Sequence, residues 1–442
     1  MKYDVIIAGG GTAGCACAFT AGKNGLSVLL LEKNSFLGGT MTSSLVTPAM
    51  KTSSSNINNS FYSTLMDSLL NIGGQITYPD GNIGWFNPEL MKIALDNLMD
   101  DANVDILFNS EIHSIKTHNR TITGVSLNEN NYKYVVSTYS NNSAKGNQML
   151  SEYIETKYLV DATGDAKIFQ KLNCNFLENK NKFQPVNLRF IMSGIDIDTF
   201  SDWITELDND RNVTTSYLID GETHLSTACT WDRHAAWALR PIFEKGILYK
   251  EITEEDANYF QVFTIPGMPS SLAFNCPRIL LDKEVNLNNP IDVSNALKAG
   301  RKSIFRLSKF FKRNFAGFRN SYISSIANSL GVRVSNRIKG KYIYTIDDLR
   351  SGKTFENPCL ISNYPVDVHS SKKDESVLDK SIQEYMLPIE SLISADYENL
   401  YAAGRCISAD FEAQAALRII PSCFSMGEGL AKYLTALENS NI

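Results

Sequence analysis

Cysteine pairs at redox or metal-ligand spacing are absent from this sequence. Its eight cysteines, Cys15, Cys17, Cys174, Cys229, Cys276, Cys359, Cys406 and Cys423, include no CxxC. Zinc and iron–sulfur ligation therefore find no support, and no metal site is expected. At this density in a long chain they read as reduced, buried thiols. Also missing is any uncharged apolar run near the roughly 18 residues a membrane helix needs, so no membrane partner is expected. The N-terminus passes from Met1-Lys2-Tyr3-Asp4 straight into Val5-Ile6-Ile7, with no basic leader and no cleavage site, which points to a cytoplasmic location. Excess positive charge is lacking too. The chain has 42 Lys+Arg against 48 Asp+Glu, a net charge of −6, and so offers no electrostatic reason to expect nucleic acid as a partner.

What is present is an ordinary globular composition, 43% hydrophobic and 20% charged over 442 residues, long enough for two to three units. Residues 3–8 read as a short buried strand. The triplet Gly9-Gly10-Gly11 makes a turn, 12–24 a small-residue helix stopped by Gly25, and 26–32 a second strand. Together these make a β–α–β unit of about thirty residues. A helix is expected over 87–103, with strands at 104–108, 112–115 and 158–162. Polar stretches at 52–60 and 138–148 read as a loop and a hairpin excursion. The next two hundred residues lose the β–α alternation and mix aromatics, prolines and short strands. Near the end, 400–403 is a strand closed by Gly404, and Pro421-Ser422 opens a last helix to about 437.

The motif that carries chemistry is Gly9-x-Gly11-x-x-Gly14, between a strand and a helix, with Glu32 ending the following strand. Gly9 permits the tight turn, Gly11 a close backbone approach to a pyrophosphate, and Gly14 close helix–strand packing. The helix N-terminus, with Thr12 and Ala13 in its first turn, offers N–H groups and a positive dipole end to phosphates. Glu32 can accept from ribose hydroxyls, with Lys33 beside it. A second glycine pair follows in Leu37-Gly38-Gly39-Thr40. A domain for NAD alone has no need of another close backbone approach there, whereas FAD runs on past the first unit.

With these segments in hand, the sequence resembles the FAD-dependent oxidoreductases of the glutathione-reductase-like flavoprotein class, and more narrowly a bacterial family related to fumarate reductase and heterodisulfide reductase flavoproteins. The resemblance rests on the N-terminal fingerprint, on Leu37 to Thr40, and on Asp161-Ala162-Thr163-Gly164-Asp165-Ala166. It is extended by Gly331-Val332-Arg333 with Arg337-Ile338, by Tyr364 to His369, and by Asn399 to Ser408 continuing through Glu412-Ala413 and Arg418 to Cys423. It implies that Gly9, Gly11 and Gly14 hold the pyrophosphate and Glu32 the ribose. Gly38, Gly39 and Thr40 would line the ribityl and flavin side, and Ala162, Thr163 and Gly164 the adenine half or the pyrophosphate. Gly404, Arg405, Pro421 and Cys423 would approach the ribityl chain and ring. The positive end of the last helix would face the flavin N1–C2=O edge.

Other candidates follow from residue chemistry. His369, in a strand-like run after Pro365, could move a proton while a hydride passes to or from flavin N5. Arg418, beside Ile419 and Ile420, reads as a buried functional arginine. Arg333 and Arg337, four apart, would share one face of a helix and could clamp a carboxylate, although a surface salt-bridge pair is the plainer reading. His224 and His234, flanking Cys229 and Trp231, read as packing or surface residues, and Cys406 and Cys423 as packing. The seven basic residues between Lys298 and Arg313 interleave with apolar ones at helical spacing, the pattern of a core helix with a solvated outer face.

The expected fold is therefore α/β: a Rossmann-like GxGxxG FAD-binding domain from residues 1–175 and 385–442, with an inserted mixed α+β cap (substrate) domain at 176–384. The expected function is an FAD-dependent oxidoreductase passing a hydride between a small-molecule substrate and flavin N5. His369 and Arg418 are the catalytic candidates. No second GxGxxG with a following acid is present, so the second electron carrier, NAD(P)H or another, stays open. The alternatives are a tRNA-modifying flavoprotein, which the acidic balance disfavours, and a non-catalytic flavin-binding protein.

Overall fold

The computed structural model describes the chain apart from residues 1, 53–56, 128–134, 141–142, 150–152, 179–182, 231–236, 280–284, 370–376 and 441–442. A seven-stranded sheet forms around Lys2–Ala8, whose residues Val5, Ile6 and Ile7 are wholly buried. It pairs in parallel with Val28–Leu31 on one side and with Ile154–Asp161 on the other, and Asp105–Leu107 extends the first edge. Leu400–Ala402 adds in parallel to Ile154–Asp161, while Thr121–Ser126 and Ser114–His118 continue antiparallel. A strand buried on both faces reads as a continuous apolar run, which is why Val5–Ala8 carries no alternation. Successive side chains still part to opposite faces. Val5, Ile7, Val28, Leu30 and Val160 enter one core, and Ile6, Ala8, Leu29, Leu31 and Leu159 the other.

The first core is closed by the helices Thr12–Lys23, Pro88–Asp101 and Ile420–Ser440. The first and last press together so closely that a methyl group at Gly427 would sit 2.1 Å from the Ala13 carbonyl oxygen. Asn87 caps the Pro88 helix, accepting from Glu89 and Leu90 N–H, with proline at the first position, where its missing N–H costs nothing. The expected first strand and first helix lie within a residue of their sequence bounds, and the last helix runs three residues past its expected end, to Ser440. The strand expected at 112–115 instead runs Ser114–His118, and Ile112 turns toward the cavity described below. The 138–148 excursion is a hairpin of Val135–Ser140 and Ser143–Met149.

A second region holds a six-stranded, wholly antiparallel sheet in the order Thr214–Ile219, Glu222–Thr230, Tyr259–Thr264, Ser271–Phe274, Phe190–Ser193, Tyr322–Ile326. The Pro290–Asn314 helix packs on it through Ile304, Leu307, Phe310 and Phe311, while Phe305 stays exposed beneath the Lys309 ammonium. Its basic residues thus form the solvated face that their spacing implies. Phe243, Phe260, Phe274, Phe315 and Phe318 complete this core, with Phe274 and Phe311 stacked at 5.2 Å. The first core also takes in Tyr344, Leu360 and Val366, although these residues fall within the 176–384 stretch expected to be the cap. Their apolar side chains follow packing rather than chain position.

Candidate functional site

The glycine turn is built by contact. Gly9 has φ +105°, and a Cβ there would meet the Ala162 carbonyl oxygen at 2.6 Å. At Gly14 a Cβ would fall 1.9 Å from the Gly9 carbonyl oxygen, so helix and strand can approach this closely only with glycine at both positions. Gly38, also left-handed, donates its N–H to the Gly10 carbonyl at 2.8 Å, which brings Gly39 against Gly11. Gly11 is the N-cap of the first helix, and no side chain caps that end, so its first-turn N–H groups face an open space. Glu32, buried, accepts the Gly10 N–H at 2.8 Å and the Asn34 N–H and side-chain amide on its other oxygen.

That space is a cavity of about 1220 Å³. It exceeds the roughly 300–1,000 Å³ of a pocket for one drug-sized ligand, and so has room for a dinucleotide and a second, smaller molecule. Of the residues singled out from the sequence, Gly9, Gly11, Thr12, Ala13, Glu32, Lys33, Gly39, Thr40, Ala162, Thr163, Gly164, Gly404, Arg405, Cys423, His369 and Arg418 all line it. Gly14, Gly38 and Pro421 do not. Gly14 and Gly38 support the turn from behind, and Pro421 is buried in the first turn of the last helix.

Three devices hold the middle of the cavity. Asp161, fully buried, accepts from Thr163 N–H and hydroxyl and from Ile168 and Phe169 N–H, pinning the turn after its strand. Burial nonetheless pushes its carboxyl above the usual range. Asp165 bonds to Arg405 at 2.6 Å, and the guanidinium would sit 3.0 Å from a Cβ at Gly164. Cys423 donates to the Arg418 carbonyl at 3.5 Å, and burial pushes its thiol up to about 12. It therefore stays protonated at neutral pH, in keeping with packing rather than thiolate chemistry. Cys406 is likewise buried.

At the far end the residues come from the second region and from the return to the first. His369 Nδ1 lies 2.6 Å from an Arg278 guanidinium nitrogen, and Nε2 lies 3.1 Å from Asp367. Because arginine only donates, Nδ1 is the acceptor and Nε2 carries the hydrogen. Burial, with the nearby Arg333 charge, holds the imidazole down to about 3, so it is neutral at pH 7. Asp367 is held well below the carboxylate range, despite its burial, by His369 and by the Arg418 and Arg333 charges. Arg418 donates to the Asp367 carbonyl at 3.0 Å. Arg278 lies over the Tyr259 ring at 4.2 Å.

The sequence reading missed Arg189, Tyr259 and Arg278; the last two lie in strands and Arg189 between two strands, with no local signal at any of them. Arg333 and Arg337 are not a helical pair, because the backbone from 331 to 338 is irregular. Arg333 faces the cavity, whereas Arg337 turns away to donate to the Ala409 and Glu178 carbonyls. His224 is buried and 3.5 Å from the Thr264 hydroxyl, outside the cavity. Trp231 and His234 lie outside the described residues.

An uncapped helix N-terminus over a glycine turn, a buried acid at the next strand and a large adjoining cavity are the features a dinucleotide site requires. Over residues 4–439 the chain matches the model of the FAD dependent oxidoreductases, and it belongs to that family. It is an oxidoreductase with FAD as its cofactor. Among solved structures it is similar to a geranylgeranyl bacteriochlorophyll reductase-like protein from Thermoplasma acidophilum, at 14% identity and TM-score 0.43 over 100% of this chain and 79% of that one. It is also similar to the flavin-dependent brominase Bmp2, at 13% and 0.46 over 99% and 79%. A third likeness is to p-nitrophenol 4-monooxygenase from Pseudomonas putida, at 10% and 0.46 over 99% and 81%. No curated protein matches the chain. Among the described residues no helix is long and apolar enough to cross a membrane.

Proposed function

We propose that the enzyme passes a hydride between a carbon of a small-molecule substrate and flavin N5. In this reading Gly9, Gly11, Thr12 and Ala13 hold the FAD pyrophosphate, Glu32 and Lys33 the adenosine ribose side, and Ala162 to Gly164 the adjoining turn. Gly39, Thr40, Gly404, Arg405 and Cys423 flank the ribityl chain and ring. FAD, when bound, supplies the two-electron chemistry, and the protein supplies position, charge and a proton path. The antiparallel region with the Pro290–Asn314 helix serves as the substrate cap of a Rossmann-like FAD domain of the glutathione-reductase-like class, related to fumarate reductase flavoproteins. The supporting observation is that a single cavity joins the glycine turn at one end to His369 and Arg418 at the other.

Arg418, fixed on the Asp367 carbonyl, orients the substrate. His369 is neutral at pH 7 and can therefore only accept a proton. Its lone pair is on Nδ1, which Arg278 occupies, so proton uptake requires Arg278 to yield that position. The test is anaerobic reduction of the FAD-loaded protein by a panel of small hydroxy and amino acids and by NADH and NADPH. Bleaching of the flavin band by a small organic donor is expected, slowed by His369→Gln. A flavin that no donor reduces would favour a non-catalytic flavin-binding protein.

A further inference from the structure

We propose that the cavity wall made by Arg189, Arg333 and Arg418 is an anion subsite that takes the oxyanion of a small acidic substrate, a carboxylate or a phosphate. The inference rests on the substrate end proposed above and names the class of molecule that enters it. All three arginines line the cavity, and Arg278 stands behind them against Tyr259 and His369. Facing these four guanidiniums are Asp367, the neutral His369 and the phenols of Tyr259 and Tyr364. Among the described residues Asp367 is the carboxylate in contact, with Arg418 at 3.7 Å and His369 at 3.1 Å.

Among the described residues, one buried carboxylate does not balance the three cavity guanidiniums of Arg189, Arg333 and Arg418. Burying a charge without a partner is costly, and like charges raise that cost. The strain is visible at Arg333, which is 8% exposed. Burial and the Arg418 and Arg278 charges pull its guanidinium down to about 9, still protonated at pH 7. Arg189, its charge similarly pulled down by burial to about 10, donates to the Leu45 and Thr47 carbonyls. The Nε groups of Arg189 and Arg418 are buried and find no acceptor among the described residues. Arginine has five donors in a planar fork, and the protein bonds of Arg333 and Arg418 go to the Pro185 and Asp367 carbonyls. An oxyanion entering from the cavity would take up the remaining donors and offset the excess charge. The same anion would raise the proton affinity of His369, so that binding readies the base.

The test uses the FAD-loaded protein at constant ionic strength, with the flavin absorption spectrum as readout and succinate, inorganic phosphate and neutral succinamide as probes. Saturable perturbation by succinate, by phosphate or by both is expected, and which of them acts names the oxyanion. Succinamide should have no effect. Arg333→Gln and Arg418→Gln should each raise the apparent Kd about tenfold or more, with Arg333→Lys losing less. The proposal is overturned if neither anion perturbs the flavin, if succinamide acts equally, or if both Gln variants bind as the parent does. Loss of FAD from both Gln variants, with a native melting transition, would assign the charge to the cofactor and overturn it too. A parent protein that carries no FAD at all would sink the hydride-transfer reading first, and that outcome is distinct from an FAD-loaded protein indifferent to anions.

Discussion

The two ends of the cavity are made in different ways. The glycine end is built from backbone: a strand, a turn and a helix start within the first fourteen residues, where the chemistry is done by N–H groups and by side chains that are missing. The arginine end is built from side chains, with Arg189, Arg278, Arg333 and Arg418 converging from four distant segments around Asp367 and His369. A backbone site tolerates almost no added atom but is indifferent to pH. A side-chain site tolerates small changes of shape but is governed by charge. The two should therefore fail differently when perturbed.

The largest effect is expected where an atom is added to the glycine end. Gly14→Val would place its Cβ on the Gly9 carbonyl, and overpacking of this kind costs about 3 kcal/mol or more. A fall in thermal midpoint together with loss of the flavin absorption is expected, and a variant that keeps both would break the comparison. Next comes Asp367→Asn, which removes the contacting carboxylate from the arginine end. Leaving charges buried without their partner costs about 3 kcal/mol, read as a lower urea midpoint at pH 7 with the slope unchanged.

A smaller and more discriminating effect concerns pH. In the unfolded chain His369 takes a proton below its ordinary value near 6.5, whereas in the fold it resists protonation until about 3. Its contribution is thus fully present above pH 6.5 and is lost as the pH falls toward 3. Between pH 6.5 and 4.5 the parent should lose about 2 kcal/mol more than His369→Gln, and parallel curves would contradict the buried neutral imidazole. Smallest is Glu32→Gln, which keeps the shape and removes a charge. A weakening of FAD affinity by about tenfold, with little change in melting, is expected from the loss of one charge-assisted hydrogen bond.

The difference between the ends also explains what could be read from the sequence. Gly9, Gly11, Gly14 and Glu32 are forced on nearby positions by local backbone geometry, so their spacing can be recognised without knowing the fold. Leu37 to Thr40, Thr163-Gly164 and Gly404-Arg405 were picked out through the family resemblance, and all of these but Leu37 and Gly38 line the cavity. Arg278 and Arg189 were not legible, because a lone arginine in or beside a short strand reads the same whether it faces solvent or the interior. Arg333 was misread with Arg337 because a spacing of four carries meaning only on a helix, and residues 331–338 are irregular. The return of Tyr344, Leu360 and Val366 to the first core was hidden for the same reason: nothing local says which sheet an apolar residue will join.

The most direct test is the FAD content of purified Gly14→Val and Arg333→Gln beside the parent, measured from the absorption spectrum and the chromophore released by heat. The account predicts stoichiometric FAD in the parent and in Arg333→Gln, and none in Gly14→Val. A parent without FAD, or an FAD content that follows the arginine and ignores the glycine, would contradict it.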